Sequence, residues 1–287
     1  MTSIIQLAFS LTPGLEKEME EMSQLKEAMG LLANQIQSPA EYITKFLESP
    51  SGREFYARTK DLDKPLKILD LGCGRGESSV LLAMNGHNVH AVEPCLPLCE
   101  IIQSISHRFS LPLKVYQGVG EAVDLIEEDE FDLCIFNASF HHCDEPEQVL
   151  KKCYGKLKKG GKIYLLNEPI LKCYRSKKWY QEALERHPEQ MGHYGGNEHI
   201  YYYGEYKKLL SQSGFLQIKD RFHERLSHPK LVILGDIHKN WSDEKLLLKL
   251  FILTLFKKMV KSKLLSFFFL SGLKKLSFVP VSFEAKK

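Results

Sequence analysis

A short apolar strand that runs directly into three alternating glycines is the feature that most constrains the fold of this chain. Residues 68–76 read Ile-Leu-Asp-Leu-Gly-Cys-Gly-Arg-Gly. Glycine lets the backbone leave a strand in a sharp turn and approach a ligand closely, where a Cβ would clash. The pattern therefore predicts the first strand–turn–helix unit of an α/β fold, with a nucleotide-type ligand at the turn.

The position of the third glycine argues against a dinucleotide ligand. A dinucleotide fingerprint, G-x-G-x-x-G, would need glycine at position 77, where this chain has Glu77. A carboxylate at the start of that helix would repel a pyrophosphate. Glu93 closes the next apolar strand, about twenty residues further on, where a carboxylate can accept hydrogen bonds from both ribose hydroxyls.

Composition and charge are those of an ordinary globular protein. The 287 residues carry a net charge of +3, which implies no general affinity for nucleic acid. The seven cysteines include no C-x-x-C pair, which favours reduced, buried thiols in a cytosol. Residues 1–9 have no basic region and too short an apolar stretch for a secretory signal. We therefore expect a cytoplasmic protein.

Strand and helix patterns alternate from Leu66 onward, which predicts an α/β fold with a doubly wound, mostly parallel sheet. Ligands of such sheets bind at the carboxyl ends of the strands. The residues expected to converge there are Asp70, Gly72, Glu93, Glu121 and Asn137. The predicted strands are 66–71, 88–93, 113–117, 131–137, 160–167 and 215–224, and the predicted helices are 76–85, 95–108, 144–157 and 203–213.

Three motifs in order carry a resemblance to a known family. The D-x-G-x-G-x-G turn resembles motif I of the class I S-adenosylmethionine-dependent methyltransferases. Gly120-Glu121-Ala122 with the strand at 131–136 resembles the G-D-A…F-D-x-V stretch of their small-molecule, type 11-like branch, and Lys159-Gly160-Gly161 resembles the turn before their fifth strand. The resemblance implies a seven-stranded Rossmann-like sheet, spans residues 66–224, and makes S-adenosyl-L-methionine the expected cofactor.

The resemblance also implies which residues bind the cofactor. Glu93 takes the ribose, and Glu121 inherits the contact with the adenine amino group from an aspartate. The full implied set is Asp70, Gly72, Cys73, Gly74, Gly76, Glu93, Pro94, Glu121, Ala122 and Asn137. No metal is expected, because His187, His193 and His199 are six residues apart and do not form a helix-borne pair of ligands.

Candidate catalytic residues follow the fourth and fifth strands of the core. A hydroxyl acceptor must lose its proton to a base, and His141 and His142 lie at the end of the fourth strand. Either histidine can be that base or can only shape the pocket, and His142 is favoured if it points inward. Glu168, after the fifth strand, either orients the acceptor or is an ordinary strand-end carboxylate.

Three regions are expected. Residues 1–64 form a helical cap, with one helix from Thr12 to about Gln35 and a second that starts at the capping sequence Ser38-Pro39-Ala40-Glu41. Residues 65–227 form the core, with an acceptor lid at 170–203 whose tyrosines and histidines suit a polar ring such as a sugar or phenol. Residues 228–287 form a basic, apolar C-terminal region.

That C-terminal region permits two interpretations. Its apolar runs, interrupted by lysines, are too short for a membrane span, so it forms either a helical insertion packed on the core or a basic amphipathic hairpin in peripheral contact with an anionic membrane. Residues 276–284 alternate as a strand does and predict an antiparallel seventh strand. Pro280 fits that strand only at an irregular or unpaired point.

The sequence thus predicts a methyltransferase that acts on a small-molecule acceptor, with O-methylation of a sugar or lipid-linked sugar as the leading hypothesis. Methylation of a lipid or quinone-like ring is the alternative within the enzyme class. A non-catalytic adenosyl-binding protein is the alternative outside it, which the intact glycine motif disfavours.

Overall fold

In a computed structural model of the chain, the structure describes residues 3–10, 16, 19–20, 35–63, 65–171, 176–186, 199–220 and 280–287. Within these ranges eight strands form one sheet, and helices cover both of its faces. The strands are β1 (Ile5–Gln6), β2 (Lys67–Leu71), β3 (Asn88–Glu93), β4 (Leu113–Gln117), β5 (Phe131–Asn137), β6 (Leu157–Glu168), β7 (Leu216–Asp220) and β8 (Val281–Lys286). The α-helices are α1 (Pro39–Glu48), α2 (Pro50–Thr59), α3 (Glu77–Met84), α4 (Leu96–Arg108), α5 (Pro146–Lys156), α6 (Lys177–Arg186) and α7 (Tyr203–Gln212).

The sheet has the order β1-β4-β3-β2-β5-β6-β8-β7. Among the described strands, β8 alone runs in the opposite direction, antiparallel to β6 and β7, so the predicted doubly wound, mostly parallel sheet is confirmed. The described sheet has eight strands where seven were predicted. The additional strand is β1, which pairs with β4 through Ile5 and Tyr116 and is too short to leave a periodic pattern.

The predicted closing strand is present and begins later than expected. Strand β8 starts at Val281, immediately after Pro280, so the proline lies outside the ladder and removes no hydrogen bond from it. Lys287, just beyond β8, donates its backbone N–H to the carbonyl of Gly161 at 2.9 Å. Residues 221–279, which include the predicted insertion, lie outside the described residues.

Both faces of the sheet are covered by buried apolar side chains, which explains why its central strands are almost continuously apolar. On one face Phe136 and Phe140 pack with Tyr206 of α7 and with side chains of α5. On the other face Phe55 of α2 and Val80 of α3 pack with the inner side of α1 and α4. The two layers hold the carboxyl ends of the parallel strands at one common edge.

The helical cap differs from its prediction in one respect. Ser38 accepts the backbone N–H of Glu41 at 3.3 Å, as expected, and the Glu41 carboxylate accepts the N–H of Gln37 at 2.8 Å. The predicted second helix is two helices, because Ser49 ends α1 and caps α2 by accepting the N–H of Gly52 at 2.9 Å. Most of the predicted first helix lies outside the described residues.

Candidate functional site

A cavity of about 1010 Å³ opens at the carboxyl ends of the central strands. The glycine turn after β2 forms its floor, and the ends of β3, β4 and β5 form its walls. The predicted site residues that line it are Gly72, Cys73, Gly74, Glu93, Pro94, Glu121, Ala122, Asn137, His141 and His142. The structure thus brings together ten of the thirteen predicted residues; Asp70, Gly76 and Glu168 lie behind the wall.

The three glycines of the turn all have positive φ, but they differ in the space that a side chain would find. A Cβ on Gly72 would lie 2.6 Å from the Cβ of Ser139, and a Cβ on Gly76 would lie 2.5 Å from Cγ1 of Ile102. A Cβ on Gly74 would meet no atom of the described residues within 4 Å. Gly72 and Gly76 therefore permit close packing, whereas Gly74 leaves space where a ligand can lie.

Glu93 joins the end of β3 to the glycine turn. Its Oε2 accepts the N–H of Gly74 at 2.9 Å, and its Oε1 accepts the N–H of Cys95 at 3.1 Å. The residue is buried yet lines the cavity beside Pro94. Glu93 therefore both shapes the turn and presents a carboxylate to the cavity.

Asp70 lies beneath the turn and is fully buried. Its Oδ2 accepts hydrogen bonds from the hydroxyls of Ser78 and Ser79, at 2.7 and 2.6 Å. Burial raises the pKa of Asp70 above its ordinary value, and the two hydroxyls oppose that shift. Asp70 thus anchors the first turn of α3 and supports the floor of the cavity from behind.

Glu121 lies in the 3-10 turn Gly120–Leu125 that follows β4. Its Oε1 accepts the backbone N–H groups of Asp144 and Glu145, at 2.9 and 3.3 Å. The carboxylate therefore ties this turn to the start of α5. The longer side chain of glutamate explains that reach, and the predicted contact with adenine remains a proposal.

The thiol of Cys73 is buried in the glycine turn. Burial is the main reason that the pKa of Cys73 lies well above its usual value, and the carboxylates of Glu93 and Asp70 raise it further. The six cysteines within the described ranges are all buried and free of disulfides. A neutral thiol in the glycine turn agrees with the interpretation of Cys73 as a small packing residue.

Glu168 organises the turn that carries both histidines. Its Oε1 accepts the N–H groups of Ser139 and Phe140 at 3.2 and 3.1 Å, and its Oε2 accepts the N–H of His141 at 3.2 Å. The same Oε2 lies 2.8 Å from Nδ1 of the His141 ring. The carboxylate is completely buried and does not line the cavity, so Glu168 can act on an acceptor only through His141.

The two histidine rings lie side by side at the cavity wall, with their centroids 4.2 Å apart. The carbonyl of His141 accepts the N–H of His199, at 2.9 Å, where the chain returns from the lid region. Nε2 of His199 lies 3.2 Å from Oδ1 of Asp144. Residues 187–198 of the lid lie outside the described residues, and no cluster of three or more metal-binding side chains occurs in the ranges that the structure describes.

Among the described residues that line the cavity, carboxylates outnumber arginine and lysine. The arginine and the lysine there are already paired, Arg75 with Glu77 at 3.1 Å and Lys152 with Asp124 at 2.9 Å. The excess of negative charge suits a cationic ligand and disfavours a pyrophosphate. The lining carboxylates are Glu77, Glu93, Glu121, Asp124, Asp144 and Glu145.

Sequence reasoning missed several residues of the site. Residues 8–10 line the cavity because β1 adds to the sheet beside β4. Ser139 donates its hydroxyl to the carbonyl of Leu71 at 2.6 Å and so links the histidine turn to the glycine turn. Asn167, at the end of β6, contacts Asn137. None of these residues belongs to a motif, so no local signal marks them.

Comparison with known proteins agrees with this geometry. Residues 69–165 match the family model described as a methyltransferase domain. The chain is 31% identical over 103 residues to an O-antigen chain terminator bifunctional methyltransferase/kinase from Escherichia coli, a match that covers 33% of this chain and 14% of that protein. It is 26% identical over 98 residues to a ubiquinone biosynthesis O-methyltransferase from Pseudomonas putida, which covers 34% of this chain and 42% of that protein.

Solved structures show the same fold. A geranyl diphosphate C-methyltransferase from Streptomyces coelicolor A3(2) superposes with a TM-score of 0.53 at 14% sequence identity, over 81% of this chain and 74% of that chain. The chain spans less than half the length of the two curated relatives named above. The resemblance predicted from the motifs is confirmed over residues 69–165, which match a methyltransferase domain of the type 11 branch with S-adenosyl-L-methionine as its cofactor.

Proposed function

We propose that this protein transfers the methyl group of S-adenosylmethionine to a hydroxyl oxygen of a small polar acceptor. The observation that carries the proposal is the pair formed by His141 and the buried Glu168 at the wall of the cavity. Transfer to oxygen needs a base near the acceptor, and a histidine held by a buried carboxylate supplies one.

The residues around the cavity fit this cofactor. The open space beside Gly74 admits it, and the surplus of carboxylates favours its sulfonium cation. The cofactor supplies an electrophilic methyl group when it is bound. In our proposal Glu93 accepts the ribose hydroxyls, and the segment from Gly118 to Ala122 holds the adenine.

Glu168 determines what His141 can do. A carboxylate that already accepts three backbone N–H groups acts toward the ring as a further acceptor, so Nδ1 carries the proton. Nε2 is then the basic nitrogen and can take the proton of an acceptor hydroxyl. The negative charge of Glu168 stabilises the imidazolium that results. We therefore assign the base to His141 and a pocket-shaping role to His142, although the pattern of residues had favoured His142.

The leading acceptor is a sugar or a lipid-linked sugar. The support is the aromatic composition of the lid and the similarity to an O-antigen methyltransferase/kinase. The second candidate, a quinone-like or lipid ring, is supported by the similarity to a ubiquinone biosynthesis O-methyltransferase. Both relatives are similar to only a segment of this chain, so their substrates are hypotheses for the acceptor of this protein.

The test is the formation of S-adenosylhomocysteine by the full chain with two acceptor sets, one of free and lipid-linked sugars and one of catechols and quinols. We expect turnover with a member of the first set and an O-methyl product by NMR. Turnover with the second set alone would replace the sugar with a ring acceptor. Cofactor binding without turnover in either set would favour the non-catalytic alternative.

A peripheral membrane contact through residues 228–287 is a further part of the proposal. No helix in the part of the chain that the structure describes is long and apolar enough to cross a bilayer. Each lysine close to an anionic membrane adds about 1 kcal/mol of attraction, which salt screens. We expect salt-sensitive sedimentation with anionic vesicles, lost when Lys257, Lys258, Lys261 and Lys263 become glutamine. Absence of binding at low salt would refute the contact and favour a packed insertion.

A further inference from the structure

A pair of asparagines links the cavity to the helical cap. Asn167 lies at the end of β6, is buried, and adopts a φ of +59°, which is uncommon for a residue with a side chain. Its Nδ2 donates to the carbonyl of Ser51 in the first turn of α2, at 3.2 Å. The same Nδ2 donates to Oδ1 of Asn137, which lines the cavity, at 2.7 Å.

This arrangement determines which way each amide faces. The carbonyl of Ser51 can only accept, so the end of Asn167 that meets it must be the NH2 group. Asn137 therefore has to turn its oxygen toward Asn167. Its own NH2 group is left as a donor and has no hydrogen-bond partner within the described residues.

The order of the strands indicates what that donor meets. Strands β4, β3, β2 and β5 lie side by side, and each contributes its carboxyl end to the cavity. A ligand with its adenine at the end of β4 and its ribose at Glu93 of β3 extends its remaining arm across the glycine turn toward Asn137. In S-adenosylmethionine that arm ends in an amino-acid carboxylate.

A neutral donor can serve that carboxylate. Among the described residues that line the cavity, the arginine and the lysine, Arg75 and Lys152, are already paired with Glu77 and Asp124. An amide NH2 can donate to a carboxylate oxygen without a cation, and such a charge-assisted hydrogen bond is stronger than a neutral one.

We propose that Asn137 donates to the carboxylate of the cofactor's amino-acid arm and that Asn167 is the positioning residue that fixes the Asn137 amide for this contact. The proposal rests on the proposed function and deepens it. It also gives the backbone strain at Asn167 a role, because the amide reaches Ser51 and Asn137 together from this conformation.

The test compares two ligands that differ at the amino-acid arm. S-adenosylhomocysteine carries the carboxylate, and 5′-methylthioadenosine has the same adenosine and thioether without it. Calorimetry with the full chain measures the affinity for each ligand. Asn137→Ala and Asn167→Gly should each lower the affinity for S-adenosylhomocysteine by about tenfold and change the affinity for 5′-methylthioadenosine by no more than about twofold. The double variant should be no worse than Asn137→Ala alone, because both changes remove one contact.

A polarity reversal sharpens the test. Asn167→Asp cannot donate to Ser51 or Asn137, so the Asn137 amide should turn over and present its oxygen to the carboxylate. We expect Asn167→Asp to lower the affinity for S-adenosylhomocysteine more than Asn167→Gly does. Glu130→Gly is the matched control, since Glu130 also has a positive φ, +60°, and lies outside the cavity lining.

Two results would overturn the inference. Equal losses for both ligands would show a structural role for Asn167, and unchanged affinity for S-adenosylhomocysteine in properly folded variants would remove the contact. The proposed function fails separately, if the unaltered chain binds neither ligand.

Discussion

His141→Ala is expected to lower the rate of methyl transfer by about 10²- to 10⁴-fold and to leave the affinity for S-adenosylhomocysteine nearly unchanged. The ring lines the cavity, and Glu168 holds its Nδ1 at 2.8 Å, so the variant removes the base without touching the glycine turn. The measurements are initial rates with the acceptor found by the turnover test and calorimetry with S-adenosylhomocysteine.

Two further variants distinguish a residue that acts as the catalytic base from one that only shapes the acceptor pocket. Glu168→Gln keeps the shape of the side chain but removes the charge that stabilises a protonated His141, so it should lower kcat while KM for the acceptor changes little. His142→Ala should mainly raise that KM. Full turnover by His141→Ala together with a large kcat loss for His142→Ala would transfer the catalytic role to His142.

Gly74→Val is expected to weaken S-adenosylhomocysteine binding by on the order of 100-fold or more, because the new side chain occupies ligand space. A Cβ at this position meets no atom within 4 Å in the part of the chain that the structure describes, so it would point into the space that we assign to the cofactor. The change also places a β-branched residue at a φ of +57°, which costs about 1–2 kcal/mol of stability. Calorimetry measures the binding, and thermal unfolding measures the strain.

Gly86→Val separates the two effects of that substitution. Gly86 has a φ of +85° and equally open space, but it follows α3 at the opposite edge of the sheet from the cavity. The control should lose a similar amount of stability and keep its affinity. Equal loss of affinity in both variants would mean that backbone strain, not ligand space, explains the effect at Gly74.

The order of strands and helices in the core was determined by local sequence alone. The apolar runs that end at Gly72 and Glu93 predict strands from local sequence, because a strand that is buried on both faces needs continuous apolar residues. The sharp turn after such a strand needs glycine. The alternation of apolar and polar residues over 276–284 likewise predicted the closing strand, which the structure places at Val281–Lys286. The convergence of ten predicted residues on one cavity follows from this order.

The roles of individual polar side chains were decided only by the tertiary structure. The sequence left Glu168 either as a group that orients the acceptor or as an ordinary strand-end carboxylate. The fold buries it against a turn 27 residues earlier in the chain, where its carboxylate contacts the ring of His141. Asn167 donates a hydrogen bond to Ser51, more than a hundred residues away in the chain, and β1 pairs with β4. A hydrogen bond depends on a few tenths of an ångström between such distant segments, and no local pattern encodes that distance.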